Sequence, residues 1–315
     1  METFPRAPSE NVNFQPAVHA ALEVAKLDAK ELERLVSAAL DEDLRYGPDV
    51  TTRAVVGPDV RAHADVVARA PGVVAGVPVA LAVLDAVGLS LDDVLVTVPD
   101  GGVVVPGTVI LSFGGPARQL LLAERTLLNF LGHLSGIATA TNRWVVELAG
   151  TSCVVRDTRK TTPGLRQLEK YAVRCGGGHN HRMGLGDAAL IKDNHVLAAG
   201  GVTQAIDALL ATGFSLEIEV ECDTLPQVRE ALVAGVRHLL LDNMNLNQLE
   251  AAVALARQWP EVRLEASGGI TIATARGVAL TGVDAMAVGA LTHSSPSLDI
   301  ALDLRGSDAS APPRG

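Results

Sequence analysis

The 315-residue chain sets 26 Lys and Arg against 36 Asp and Glu, a formal net charge of −10, and 48% of it is apolar while only 3% is aromatic. This composition excludes a chain disordered throughout and a nucleic-acid binder that works through bulk positive charge. No apolar run approaches the ~20 residues that cross a bilayer. The opening METFPRAPSENVNFQP is polar and broken by proline, unlike a secretory signal. Cys153, Cys175 and Cys222 show no CxxC spacing, which predicts reduced, buried thiols in a cytoplasmic chain.

Residues 1–27 lack periodicity and read as a flexible arm. From Lys30 the pattern turns helical, with Leu32, Leu35, Val36, Ala39 and Leu40 on one face, until Gly47 and Pro48 break it. Residues 60–115 give short strands with one helical interruption, PVALAVLDAVG, which predicts a small α+β domain with an antiparallel sheet. A long helix follows from about residue 116, with Leu120, Leu121, Leu127, Leu128 and Leu131 on its apolar face. Glu124 and Arg125 interrupt it. From residue 151 six strands alternate with helices: TSCVVRD, AALIKD, LEIEVE, HLLLD, VRLEAS and DAMAVG. That rhythm predicts βαβ units in a curled or closed parallel barrel. No GxGxxG follows the first strand, which counts against a dinucleotide fold. The tail from 305 to 315 reads as disordered.

Parallel α/β barrels carry their chemistry at the C-terminal ends of the strands. Here those ends are Arg156–Asp157, Lys192–Asp193, Glu221, Asp242–Asn243, Ser267–Gly268–Gly269 and Gly289. In LEIEVE, Leu216, Ile218 and Val220 alternate with Glu217, Glu219 and Glu221, so the carboxylates face the barrel interior and need cationic partners there. SGG and the glycine of VGAL, each before a helix, suit a phosphate. Residues 156–195 carry a net +4, against −14 for the rest. Arg159, Lys160, Arg182 and Lys192 from that island can pair with carboxylates or phosphates. Glu221 and Asp242 can bind sugar hydroxyls or Mg2+. His179, His181 and His195 lack a zinc-site spacing, and His181 reads better as a hydrogen-bond donor to an anion.

These residues make the sequence resemble the quinolinate phosphoribosyltransferase family. The resemblance rests on AERTLLNFLGHLSGIAT, on RDTRKTTPGLRQLEKYAVRCGGGHNHRMGLGDAALIKDNH, and on EVE, LLLDNM, EASGGI and VGALTHSSPSLDIALDL. It spans about residues 30–304. It implies an N-terminal α/β sandwich over 28–135 and an incomplete, six-stranded catalytic barrel over 136–304. It implies phosphoribosyl transfer from phosphoribosyl pyrophosphate to quinolinate, with Mg2+ and loss of CO2, for NAD biosynthesis. Carried over by motif, Arg159, His181, Arg182 and Lys192 hold quinolinate together with Arg125 of a partner subunit, which makes a homodimer the smallest working unit. Lys160, Glu221 and Asp242 serve the phosphoribosyl pyrophosphate, and Glu221 and Asp242 the metal. Ser267, Gly268, Gly269 and Gly289 cradle the 5′-phosphate. The alanines of DAMAVG and the turn RYGPD depart from the family pattern without touching these positions. Three rivals remain: a relative acting on nicotinate, a non-catalytic anion-binding barrel, and an aldolase or decarboxylase with Lys192 as a Schiff base.

Overall fold

The computed structural model describes residues 14–306. In chain order the helices are α1 (Pro16–Ala25), α2 (Ala29–Leu44), α3 (Val50–Val55), α4 (Val77–Ala86), α5 (Ala117–Glu147), α6 (Arg166–Cys175), α7 (Asp193–Ala199), α8 (Val202–Leu210), α9 (Leu225–Val233), α10 (Leu246–Ala256), α11 (Ile272–Leu280) and α12 (Ala290–His293). The strands are β1 (Arg61–Ala68), β2 (Gly72–Val73), β3 (Leu95–Val96), β4 (Val103–Val104), β5 (Val109–Pro116), β6 (Val154–Arg156), β7 (Ala189–Ile191), β8 (Ile218–Cys222), β9 (His238–Asp242), β10 (Arg263–Ser267), β11 (Ala285–Ala287) and β12 (Ile300–Gly306).

The chain divides into two compact units. The first takes the chain up to Thr139, then Gln167–Gly176, then the chain from Ser295; the second takes Ala140–Arg166 and Gly177–Ser294. The first unit is built on an antiparallel sheet in the order β12-β1-β5-β3. Val66, Leu111 and Phe113 of its strands are buried, as are Val79, Val83 and Leu84 of α4. Helix α2 starts where Asp28 accepts from the Glu31 amide at 2.8 Å, and it buries Leu32, Val36 and Leu40.

Three details differ from the sequence reading. The expected flexible arm contains α1, whose Val18, Leu22 and Ala25 are buried. Proline begins that helix at no cost, because the first amides have no helical partner anyway. Residues 1–13 and 307–315, part of the expected arm and tail, lie outside the described residues. Second, β12 pairs antiparallel with β1, Ala62 with Gly306 through Ala68 with Ile300, so the last strand belongs to the first unit's sheet. Third, Gln167–Gly176, most of α6, also falls in the first unit, so Glu169, Lys170 and Arg174 leave the charge island of the barrel.

The second unit is an open parallel barrel of six strands in the order β6-β11-β10-β9-β8-β7. Residues alternate in facing, as the pleat requires. Val155, Val220, Leu239, Leu241, Leu264 and Met286 are buried on the outer, helix-covered side. The inward set mixes carboxylates with a few apolar residues. Register places Leu190 beside Glu219, Glu221 beside Leu240, Leu240 beside Glu265, and Asp242 beside Ser267. Helices α9 and α10 open with reciprocal capping boxes, Thr224 with Gln227 and Asn245 with Gln248, which fix where each strand end stops and helix begins. The segment after α6 runs beside β6: the His179 amide donates to Val155 O at 2.9 Å and the Asp157 amide to His179 O at 3.1 Å.

Candidate active site

The strand ends of the second unit enclose a cavity of about 330 Å³. Arg159, Lys160, His181, Arg182, Lys192, Glu221, Asp242 and Ser267 line it, with Thr158, Leu190, Leu240 and Ala287. Eight residues singled out from the sequence therefore meet at one place. Gly289 lies at its edge: a Cβ there would stand 3.0 Å from Lys160 Cδ and 3.3 Å from Thr158 Oγ1. Arg156 is not part of it. Its guanidinium turns into the barrel and pairs with Glu265.

The anion-facing side is built on the loops after β6 and before β7. Asp157, fully buried, is their clamp. Its carboxylate accepts from the His181 amide at 2.8 Å and from the Asn180 side chain. Arg159 and Arg182 each keep a buried Nε that has no hydrogen-bond partner. Burial, and then the like charge of Arg159, hold the Arg182 guanidinium below its ordinary pKa, against the opposing pull of Asp187 and Glu219. Two crowded, partly unsatisfied guanidinium groups call for an anion with more than one oxygen. Lys192 is already engaged, with Nζ donating to Glu221 Oε2 at 2.5 Å. The His181 ring is engaged on both nitrogens, with Nε2 at 2.8 Å from Glu219 Oε2 and Nδ1 accepting from the Arg182 amide at 2.8 Å. The donor role expected of His181 toward an anion is thus filled by protein groups in this state.

Lys160 is pinned from two sides. Its amide donates to Thr158 Oγ1 at 3.0 Å, and its carbonyl accepts from Thr292 Oγ1 at 2.7 Å. Asp242 accepts from the Asn243 side chain at 2.6 Å, with Asn243 held at φ 53°. Burial, and then the charges of Asp242 and Asp193, push Asp223 above its ordinary pKa. Their carboxylate oxygens are donors of the kind a hard divalent cation takes. Gly268 has φ +86°, and a Cβ on it would lie 2.7 Å from Asn243 Cγ and 2.8 Å from the Asn243 amide nitrogen. Gly268→Ala should therefore disrupt the loops after β9 and β10 together. We expect it to cost about 2 kcal/mol or more in stability, read as a fall in the urea midpoint, and to weaken phosphate binding.

The network beneath the cavity answers the question posed by the glutamates. Glu219 and Glu265 are buried, whereas the Glu217 side chain is 46% exposed and only 3.3 Å from His238. Burial raises Glu219, but the hydrogen bond from His181, then Arg156 and His238, outweigh it and hold the carboxyl below its usual range. Burial pushes Glu265 up to about 7, even with Arg156 beside it. Sequence reasoning gave no role to Asp157, Thr158, Thr292, Asn243 or Glu265 in shaping the cavity. The strand-end position of Asp157 and Asn243 was the available signal. The cysteines are unpaired, and burial first of all pushes each thiol up to about 12.

In the first unit the Arg125 side chain is 65% exposed, with Glu124 at 4.0 Å, and it opens on a groove of about 420 Å³ shared with Asn129, Ser297 and Asp299. Among the described residues no helix is long and apolar enough to cross a membrane.

Comparison with known proteins agrees with this geometry. Residues 49–135 match the model of the quinolinate phosphoribosyl transferase N-terminal domain, and residues 137–303 that of its C-terminal domain. The nicotinate-nucleotide pyrophosphorylase [carboxylating] of Mycobacterium leprae is 51% identical over 271 residues, 85% of this chain and 95% of that protein. The Homo sapiens protein of the same name is 38% identical over 288 residues, 90% of this chain and 95% of that one. The crystal structure of NadC from Streptococcus pyogenes superposes with a TM-score of 0.83 at 39% identity, covering 90% of this chain and 99% of that one. With both domain models matched in order along one chain, and the strand-end residues gathered at one cavity, the protein belongs to the quinolinate phosphoribosyltransferase family.

Proposed function

We propose that the protein transfers the phosphoribosyl group of phosphoribosyl pyrophosphate to quinolinate and decarboxylates the product, giving nicotinate mononucleotide, pyrophosphate and CO2 for NAD biosynthesis. The observation that carries the choice of acceptor is the pair of buried, unpartnered Nε groups on Arg159 and Arg182 in one cavity. One monocarboxylate leaves such a pair half satisfied, whereas adjacent carboxylates on one ring answer both. Lys192 joins them when it exchanges Glu221 for substrate, and His181 forms the wall behind.

The reaction asks mainly for positioning and charge. The pyridine nitrogen attacks C1 of the ribose, the C1–O bond to pyrophosphate breaks, and its electron pair leaves with the pyrophosphate. Glu221 and Asp242 face the sugar side of the cavity, where they bind hydroxyls and offset the positive charge that develops at C1. Lys160 meets the departing pyrophosphate as a point charge. Mg2+ fits the oxygen donors of Glu221 and Asp242, and when bound it neutralises pyrophosphate charge. Ser267, Gly268, Gly269 and Gly289 offer the 5′-phosphate close backbone contacts. In the ring-substituted intermediate the C2–CO2 bond then breaks. Its electron pair stays on C2 beside the cationic nitrogen, and C2 takes a proton from water.

The proposal includes a homodimer in the cytoplasm. The exposed Arg125, set on a groove with no internal counter-ion closer than Glu124 among the described residues, supports a role in a neighbouring subunit's site. Three unpaired cysteines support the reducing compartment. The deciding test is product formation by the purified protein with phosphoribosyl pyrophosphate and Mg2+. Nicotinate mononucleotide and pyrophosphate from quinolinate are expected. Product from nicotinate instead would move the specificity to one carboxylate, and binding without turnover would make the barrel a sensor.

A further inference from the structure

Deep to the cavity, one line of contacts joins a residue with no access to substrate to a guanidinium that faces it. His181 Nδ1 accepts the backbone N–H of Arg182 at 2.8 Å, so that nitrogen carries no proton. The ring proton is therefore on Nε2, which stands 2.8 Å from Glu219 Oε2. Both side chains are more than nine-tenths buried, at 9% and 5% exposed. We propose that Glu219 is a positioning residue: by accepting the Nε2 proton of His181 it fixes the imidazole tautomer whose bare Nδ1 holds the Arg182 main chain, and so aims the Arg182 guanidinium at a substrate carboxylate. The proposal deepens the functional reading above and rests on it for the identity of that carboxylate.

The alternative tautomer shows why the link matters. A proton on Nδ1 would face the Arg182 N–H, two donors with no acceptor between them, and the peptide would have to move. The same segment is otherwise well held, since the His181 amide donates to Asp157 Oδ1 at 2.8 Å. The Arg182 Nη1 reaches Ala188 O at 3.1 Å, which leaves the buried Nε for the ligand. Rotation of the imidazole thus acts on one amide and, through it, on one guanidinium. His181, Glu219 and Glu265 also lie within 4.8 Å of one another, a spacing a metal ion could use. Arg156 on Glu265 already provides the cation there, and the Nε2 proton occupies the ring atom that a metal would need. Hydrogen bonding accounts for the cluster with no added ion.

Glu219→Gln tests this, because glutamine keeps the shape but can donate to the ring as well as accept from it. Two readouts are taken on histidine-labelled protein: the 15N shifts of the His181 ring, assigned by comparison with His181→Asn, and calorimetric binding of quinolinate. Wild type should show a single Nε2–H tautomer. Glu219→Gln should show mixed tautomers and bind quinolinate about tenfold more weakly, while the KM for phosphoribosyl pyrophosphate stays within about twofold. In a His181→Asn background, where the asparagine oxygen can take the Arg182 amide, Glu219→Gln should cost nothing further. An unchanged tautomer, an equal loss for both substrates, or the same cost in both backgrounds overturns the proposal. Wild-type protein that binds no quinolinate overturns the functional reading and the substrate half of this one; the tautomer readout still decides whether Glu219 governs His181.

Discussion

Arg159→Ala is expected to raise the KM for quinolinate by on the order of 100-fold, with a far smaller change in the KM for phosphoribosyl pyrophosphate. Removing one partner of a desolvated charge pair costs about 2–5 kcal/mol, and each 1.4 kcal/mol is roughly tenfold. The arginine stands in a cavity whose second guanidinium, Arg182, is already held below its ordinary pKa by burial and then by Arg159 itself. Arg159→Ala therefore relieves repulsion in the empty site while it removes attraction in the filled one. The free protein should be no less stable than wild type, and thermal melting checks that half. Arg159→Lys keeps the charge but not the planar fork, and should lie between the two, about tenfold above wild type. Steady-state kinetics with each substrate varied in turn measures the split. Equal increases in both KM values would place Arg159 outside the quinolinate subsite.

The second large effect concerns shared sites. Arg125→Ala and Lys192→Ala homodimers should each be nearly inactive, yet co-refolded mixtures should recover about one quarter of wild-type activity. In a two-fold dimer with swapped contributions, each heterodimer keeps one intact site and one doubly damaged site. Half the dimers in an equal random mixture are heterodimers, which gives that fraction. Recovery should follow subunit exchange in time. No recovery despite exchange would show that Arg125 serves the site of its own chain or none.

The barrel was the most legible part of the sequence. Strand and helix alternate there with the period and length that βαβ units impose, and each apolar run stops at a polar residue. Lys192, Glu221, Asp242 and Ser267 could be placed at one mouth from that logic alone. Helix α1 was not legible, because Pro16 and the polar residues before it look like loop, while its burial depends on α4, far along the chain. The partners of Glu219 and Glu265 were not legible for a related reason. Alternation says that a side chain faces inward. It does not say that Arg156 belongs with Glu265, or that His181, from a loop, reaches Glu219. Helix α6 shows the same limit: its charges are adjacent in sequence to the anion-facing loops, yet its compact unit is the first one.

The pairing of β12 with β1 bears on how the protein is made. A ribosome releases β1 and β5 early, and the two strands can pair antiparallel once β5 is made. The other flank of β1 waits for Ile300–Gly306, which is synthesised more than two hundred residues later. Throughout that interval β1 is an open edge, rich in the Val66–Val67 type of surface that recruits other strands. The barrel, by contrast, is contiguous in the chain except for α6, and all six of its strands are synthesised before β12. A nonsense codon between residues 295 and 300 would then leave a chain with every barrel strand and an unfinished sheet for good.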